Sequence, residues 1–385
     1  MLIGYEASAL QGCKSGVGYY AENLLAGMIE VAPQHDYMLF SNREIPNSRA
    51  RLSQGRIYNG RYFPVRMAWM QGVLPGTLRQ VRPDLCHFPN YLAPVATSCP
   101  YVVTIHDMTL FITPRLHRWK KLLLDRTLIP LVARKAEAIV TVSKSARDDI
   151  VRLLKVPGGK VHVVMNAVSP AFRRVEDPAR IEEVRARYHL QVPYILYVGN
   201  IEPRKNLARL IDAFARLKKN GLPHKLVMVG QPGWHCEPIY AEVERQGLKS
   251  EVLFTGYVPF EDLPALYSGA TAMAFPSIYE GFGLPVLEAM ACGTPVVTSS
   301  SSGLAEVADG AAILVDPLSL DEIAGALQRV CTQPSLANEL SSLGLARAKE
   351  FTWQHAARTT LEVYDRVLAR RAATTRRVST RAVED

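Results

Sequence analysis

The sequence predicts an α/β protein made of two doubly wound parallel sheets, and three observations carry that expectation. Short β-branched or aromatic apolar runs alternate with helical stretches, as parallel crossovers require. The alternation breaks at residues 168–192, where Ser-Pro-Ala-Phe and a charged stretch lead to Gln191-Val-Pro, and then it resumes. At 385 residues, the chain is also longer than one hydrophobic core ordinarily serves, so about two or three domains are expected.

The first series of strands is Leu2 to Tyr5, Tyr37 to Phe40, Leu85 to Phe88, Tyr101 to Ile105, Ala138 to Val142 and Val161 to Val164. The opening Met-Leu-Ile-Gly-Tyr-Glu has no basic n-region and an acid at its sixth residue, so it reads as a strand and not as a signal peptide. The break at 168–192 reads as the linker, placing a first domain at 1–170 and a second at 171–351. The second series is Tyr194 to Val198, Lys225 to Val229, Val252 to Phe254, Ala272 to Phe275, Pro295 to Thr298 and Ala312 to Val315. A last helix, from about Thr352 to Arg370, carries Trp353, Ala357, Leu361, Tyr364 and Val367 at helical spacing. Residues 371–385 are basic, small and polar, and read as a disordered tail. Two such units imply a ligand cleft between them.

Composition narrows the function classes. A hydrophobic content of 48% is that of an ordinary globular protein, and no apolar run is long enough to span a bilayer. The six cysteines form no Cys-x-x-Cys and no cluster with histidines, which favours reduced thiols in a cytoplasmic protein over zinc. Charge is uneven. Residues 1–170 hold 21 Lys and Arg against 11 Asp and Glu, whereas residues 171–355 hold 17 against 21. A basic first half points to a polyanionic partner or an anionic surface. Nucleic acid is disfavoured, because no RNP-like string, zinc finger or basic zipper is present. The segment 115–121 mixes Arg115, Arg118, Lys120 and Lys121 with Trp119 ahead of a Leu cluster, so it could lie on anionic lipid. A core-facing helix with a solvated basic side accounts for it equally well.

Three places carry chemistry. Glu280-Gly-Phe-Gly-Leu-Pro-Val-Leu-Glu288 follows the strand ending at Phe275, at the end of a parallel strand where ligands bind. Its glycines allow close approach of a ligand. The backbone at Phe282, Gly283 and Leu284 opens a helix whose N–H groups suit a phosphate. Glu288 falls about two turns into that helix and could accept bonds from sugar hydroxyls. A helix cap followed by an exposed Glu is the plain alternative. Arg204-Lys205-Asn206 follows the strand Tyr194 to Val198 just before a helix, where two cations oppose the helix dipole unless an anion joins them. In the first half, His106-Asp107 ends the strand Tyr101 to Ile105, and Gly16-Val-Gly18 precedes a helix. The Gly-x-Gly-x-x-Ala string follows its strand by about ten residues, which argues against a dinucleotide site.

The Glu280-x7-Glu288 string, Pro203-Arg-Lys-Asn, Thr104-Ile-His-Asp and Gly16-Val-Gly together resemble retaining glycosyltransferase family four. The resemblance extends to about residue 370 and is more specific in the second half. It implies the GT-B fold, two Rossmann-like domains facing a central cleft, with the last helix packing back on the first, acceptor-side domain. It also implies that Arg204 and Lys205 neutralise the leaving nucleoside diphosphate and that Glu280 holds donor-sugar hydroxyls. Glu288 would then hold the ribose, and His106 would face the sugar. Gly16 and Gly18 would lie near the donor phosphates, and the strand and loop Phe254-Thr-Gly-Tyr-Val-Pro would line the base pocket.

Among family members the likeness is to bacterial mannosyltransferases of surface-polysaccharide assembly. The expected reaction is metal-independent, retaining transfer from a nucleotide sugar, GDP-mannose first and UDP-glucose or another UDP-sugar next. The acceptor would be a glycan or a lipid-linked sugar, and the place of action the cytoplasm or the inner face of the cell membrane. No cofactor is implied, and no Asp-x-Asp occurs to hold a divalent ion. A nucleotide-sugar epimerase of the same fold and a non-catalytic nucleotide-sugar-binding scaffold remain as alternatives. Turnover with and without an acceptor separates all three.

Overall fold

All five residues of Tyr194–Val198 are buried, as are all four of Leu85–Phe88 and of Ala272–Phe275. Continuous burial of this kind arises when a parallel strand is covered on both faces. The computed structural model, which describes residues 1–11, 16–45, 55–57, 62–114 and 119–384, arranges these strands in two parallel sheets. The chain divides into two compact units. One comprises Met1–Ile112, His117–Asn166 and Thr352–Asp385, and the other Ala167–Phe351 with Thr113–Leu116.

In the first unit the strands are β1 (Leu2–Glu6), β2 (Asp36–Phe40), β3 (Gly55–Ile57), β4 (Leu85–Phe88), β5 (Tyr101–Thr104), β6 (Ala138–Thr141) and β7 (Val161–Val163). Their order is β3-β2-β1-β4-β5-β6-β7, every pair parallel, so the winding reverses between β1 and β4. Phe88, Val103, Ile139, Ile150 and Leu74 meet in one apolar core on this sheet.

The C-terminal helix Trp353–Glu384 belongs to this unit and packs along the helix Gly16–Val31. Its Trp353, Ala357, Leu361, Tyr364 and Val367 are buried. The contact also includes a polar chain. Tyr364 Oη lies 2.5 Å from His87 Nδ1, His87 Nε2 lies 2.8 Å from Thr104 Oγ1, and Thr104 Oγ1 lies 3.0 Å from Tyr20 Oη. Each of these four buried polar groups has a partner, as a buried hydrogen-bonding group must. The helix runs on through residues 371–384, where the composition reads as disorder. Arg371, Ala372 and Ala373 are strong helix formers, so extending the helix costs the backbone little.

The second unit holds β8 (Tyr194–Val198), β9 (Lys225–Val229), β10 (Val252–Gly256), β11 (Ala272–Phe275), β12 (Val296–Ser299) and β13 (Ile313–Val315), in the order β10-β9-β8-β11-β12-β13. Again every pair is parallel, and here the winding reverses between β8 and β11. The stretch read as a linker contains a helix, Pro178–Arg187, capped by the Asp177 carboxylate on Ala179 N–H at 2.9 Å. Buried Asp262 anchors that helix. It accepts from Arg180 at 2.7 Å, Arg187 at 2.6 Å and Tyr188 at 3.2 Å. Residues 178–187 are therefore part of the second unit and not a free connector. Among the described residues, no helix is long and apolar enough to cross a membrane.

Candidate functional site

Because β8 and β11 are neighbours across the reversal of strand order, the loops beyond their carboxyl ends form a switch-point crevice, the usual ligand site of such sheets. Past β8 the chain makes a tight 3₁₀ turn at Pro203–Lys205, and Asn206 takes a left-handed conformation at φ 62°. The Asn206 amide donates to Pro276 O at 3.0 Å and to Pro317 O at 2.6 Å, tying this loop to those beyond β11 and β13. Arg204 O accepts from Ile278 N–H at 3.1 Å, a second tie between the same loops.

These ties bring Arg204, Lys205 and Glu280 together although Glu280 lies 75 residues after Lys205. Lys205 Nζ is 2.6 Å from Glu280 Oε1, and Arg204 Nη1 is 2.9 Å from Glu280 Oε2. Arg204 also pairs with Glu202 at 2.8 Å and donates to Tyr279 O at 2.9 Å. Lys205 Nζ sits 5.0 Å from the centre of the Phe275 ring, within reach of its negative face. The side chains of Lys205, Glu280 and Arg204 are 10%, 12% and 16% exposed. Two carboxylates thus meet two cations with no formal net charge. The dipole conflict expected of paired cations before a helix is relieved by the protein's own acids. Burial alone would raise the Glu280 carboxyl, but Lys205 and Arg204 hold it at about 2. Burial lowers the Lys205 ammonium, against the pull of Glu280. The ionised pair is the state these short contacts support.

Phe282 is buried, and Gly283, at φ 111°, caps the helix Leu284–Ala291. Only a residue without a side chain adopts that backbone readily. The helix begins at Leu284, so Glu288 sits one turn into it and not two. Glu288 Oε2 accepts from Tyr267 Oη at 2.9 Å. Burial pushes the Glu288 carboxyl up to about 7, against that hydrogen bond. The segment Phe254-Thr-Gly-Tyr-Val-Pro runs from the carboxyl end of β10, which β9 separates from β8; Gly256 O accepts from Gly230 N–H at 3.0 Å, and Tyr257 is exposed.

In the first unit, Gly16 and Gly18 lie in the first turn of the helix Gly16–Val31 and not in a loop ahead of it. His106 follows β5. Its Nε2 is 2.9 Å from Pro89 O. A carbonyl can only accept, so Nε2 carries the proton and Nδ1 presents a lone pair. The rings of Tyr20 and Tyr91 flank the imidazole at 4.6 and 5.7 Å. Burial lowers the His106 pKa, opposed by the Pro89 contact and by Asp107. Asp107 fixes the loop by accepting from Thr109 N at 3.0 Å and from Thr109 Oγ1 at 2.6 Å.

The sequence reading missed Glu202, Asn206, Tyr267, Tyr20 and Tyr91 as site residues. Two of them left a signal: Glu202 as an acid two positions before Arg204, and Asn206 as the last residue of the Arg204-Lys205-Asn206 string. Of the basic segment, residues 115–118 and the side chains of 119–121 lie outside what the structure describes. Among the described residues, no group of three or more His, Cys, Asp or Glu is placed to hold a metal ion.

This is the GT-B architecture. The chain is similar to sucrose-phosphate synthase from Thermosynechococcus elongatus, with a TM-score of 0.75 at 21% identity, over 96% of this chain and 99% of that one. It is likewise similar to Anabaena Alr3699/HepE in complex with UDP-glucose, with a TM-score of 0.73 at 18% identity, over 95% and 99%. The family model described as glycosyl transferases group 1 matches residues 181–345, and that of glycosyltransferase family 4 matches residues 14–172. O-antigen chain mannosyltransferase B of Escherichia coli is 33% identical over 303 residues, 78% of this chain and 77% of that protein. The MMP alpha-(1->4)-mannosyltransferase of Mycolicibacterium hassiacum is 31% identical over 327 residues, 81% and 76%. The chain belongs to the family 4 glycosyltransferases.

Proposed function

We propose that the protein is a retaining, metal-independent hexosyltransferase that moves mannose from GDP-mannose to a glycan or lipid-linked acceptor in cell-surface polysaccharide synthesis. The observation that carries the reading is the meeting of Arg204, Lys205 and Glu280 at the switch point of the second unit. The names of the mannosyltransferase relatives support mannose as the sugar.

Breaking a glycosyl–phosphate bond places negative charge on the departing diphosphate and oxocarbenium character on the sugar. Arg204 and Lys205, fixed in a water-poor loop, stabilise that diphosphate without reorganising. The backbone at Phe282, Gly283 and Leu284, at a helix start, adds N–H groups of the same sign. Glu280 accepts from donor-sugar hydroxyls, and Glu288 from the ribose. His106, neutral and protonated on Nε2, accepts a hydroxyl hydrogen bond on Nδ1, while Gly16 and Gly18 let the first helix start approach the donor. The acceptor hydroxyl then attacks on the face the diphosphate leaves, its oxygen bonding to the anomeric carbon as the glycosyl–phosphate bond breaks and its proton passing to the departing phosphate oxygen, which retains configuration without a protein nucleophile.

We place the reaction at the inner face of the cell membrane, with residues 115–121 resting on anionic lipid. Replacing Arg118, Lys120 and Lys121 with Ser should release the protein from anionic vesicles at low salt, while transfer to a short soluble acceptor survives. Wild-type protein that stays in solution at low salt would remove this part of the proposal.

A thermal-shift screen of nucleotide sugars tests the donor, since selective binding raises the midpoint of unfolding. GDP-mannose should give the largest rise. A larger rise with UDP-glucose would reassign the donor, and no rise with any nucleotide sugar would contradict the reading. Release of free sugar without an acceptor would mark an epimerase instead.

A further inference from the structure

The Glu280 carboxylate uses both of its oxygens on the two cations, Oε1 on Lys205 and Oε2 on Arg204. A diphosphate bound by those cations would use phosphoryl oxygens in the same way, so carboxylate and diphosphate compete for the same donors. We propose that Glu280 is an exchangeable internal counter-ion, which leaves Arg204 and Lys205 when a diphosphate arrives and returns to them as the product departs. This rests on the reading that the two cations hold the donor diphosphate.

The loop geometry makes the exchange a side-chain event. The Glu280 backbone is held on both sides of its Cα: its N–H donates to Ser302 Oγ at 3.1 Å, and its C=O accepts from Gly303 N–H at 3.1 Å. Gly303 allows that contact because a Cβ there would lie 2.2 Å from Gly281 O. Arg204, for its part, is anchored apart from Glu280 by Glu202 and by Tyr279 O. Rotation of the Glu280 side chain alone therefore vacates both cations, while Arg204 keeps its other two contacts.

Three consequences follow. The cations are never buried without an anion, a state that is strongly destabilising. The carboxylate set free by the diphosphate becomes available to donor-sugar hydroxyls, so binding of the leaving group and grip on the sugar are linked. Returning to the cations, the same carboxylate weakens the hold on nucleoside diphosphate after transfer and so speeds product release.

Glu280→Gln keeps the shape of the side chain and removes its charge. By calorimetric titration it should bind inorganic pyrophosphate, GDP and UDP about tenfold more tightly than wild type, equivalent to ~1.4 kcal/mol. Without ligand it should unfold at lower temperature, and pyrophosphate should raise its midpoint more than that of wild type. Equal or weaker pyrophosphate binding by Glu280→Gln, with Lys205→Ala binding more weakly than wild type, overturns the counter-ion proposal alone. Wild-type pyrophosphate affinity in Lys205→Ala overturns the diphosphate reading beneath it. Should Glu280→Gln fail to fold, Glu280→Asp draws the charge back from the cations and should give a smaller gain in the same direction. No gain there counts against the proposal.

Discussion

The Tyr267 hydroxyl donates to Glu288 at 2.9 Å, and this carboxyl is the acid that burial pushes up to about 7. If the carboxylate accepts from ribose, donor affinity should rise with pH as Glu288 ionises near 7. A nucleotide sugar is the right probe, since its esterified diphosphate lacks the ionisation of a terminal phosphate at about 6. Glu288→Gln should bind the donor more weakly, with the pH dependence gone. A Glu288→Gln profile that still breaks near 7 would reject the assignment. The linked effect on folding has the opposite direction. A carboxyl raised from 4.5 to about 7 contributes stability below pH 4.5 that is lost as pH rises toward 7.

His106 gives a contrasting pH signature. Its pKa lies below the usual 6.5, so the ring stays neutral through neutral pH and becomes cationic only in more acidic solution. An acid limb near pH 7 in the rate profile should therefore survive in His106→Gln and disappear in Glu288→Gln. Loss of that limb in His106→Gln would assign it to the histidine.

The buried chain from Tyr364 to Tyr20 predicts acid sensitivity of the first unit. Burial lowers the His87 pKa from 6.5 to about 3. The stability that comes from keeping it neutral is complete above pH 6.5 and is lost as pH falls toward 3. Tyr364→Phe leaves His87 Nδ1 without its partner and should cost about 1–3 kcal/mol by denaturant titration. An unchanged midpoint would mean that the contact contributes nothing net.

Arg204 and Lys205 supply positive charge where the leaving diphosphate would develop negative charge, so the reaction should not need a divalent ion. Activity measured in excess EDTA should match untreated enzyme. Abolition by EDTA, with recovery on adding Mg²⁺ or Mn²⁺, would contradict the metal-independent mechanism.

Twelve of the strands left short, largely apolar runs, β10 over its first three residues only, and burial along the whole length underlies the runs in β4, β5, β6, β8, β11 and β12. β3 left none. Gly55–Ile57 is three residues long with a Gly and an Arg, so it has no run to read. The helix Pro178–Arg187 was hidden by its charge, although Asp177 followed by Pro178 is a helix-start signal. What fixes it to the second unit is Asp262, 75 residues beyond Arg187 and invisible to local pattern. The candidate site was legible to the same depth. Strand ends located Arg204, Lys205 and Glu280, since loops past parallel strands gather at one edge. That Glu280 would neutralise both cations, and that Tyr267 would meet Glu288, depends on side-chain positions across separate loops, which no spacing encodes.

The most direct test of the account is the turnover of Lys205→Ala on the donor chosen by the thermal-shift screen. Removing one fixed cation that stabilises developing charge should lower kcat by roughly 100- to 1,000-fold, with Arg204→Ala behaving similarly. Wild-type kcat and wild-type donor affinity in Lys205→Ala would contradict the claim that this cation pair holds the leaving diphosphate.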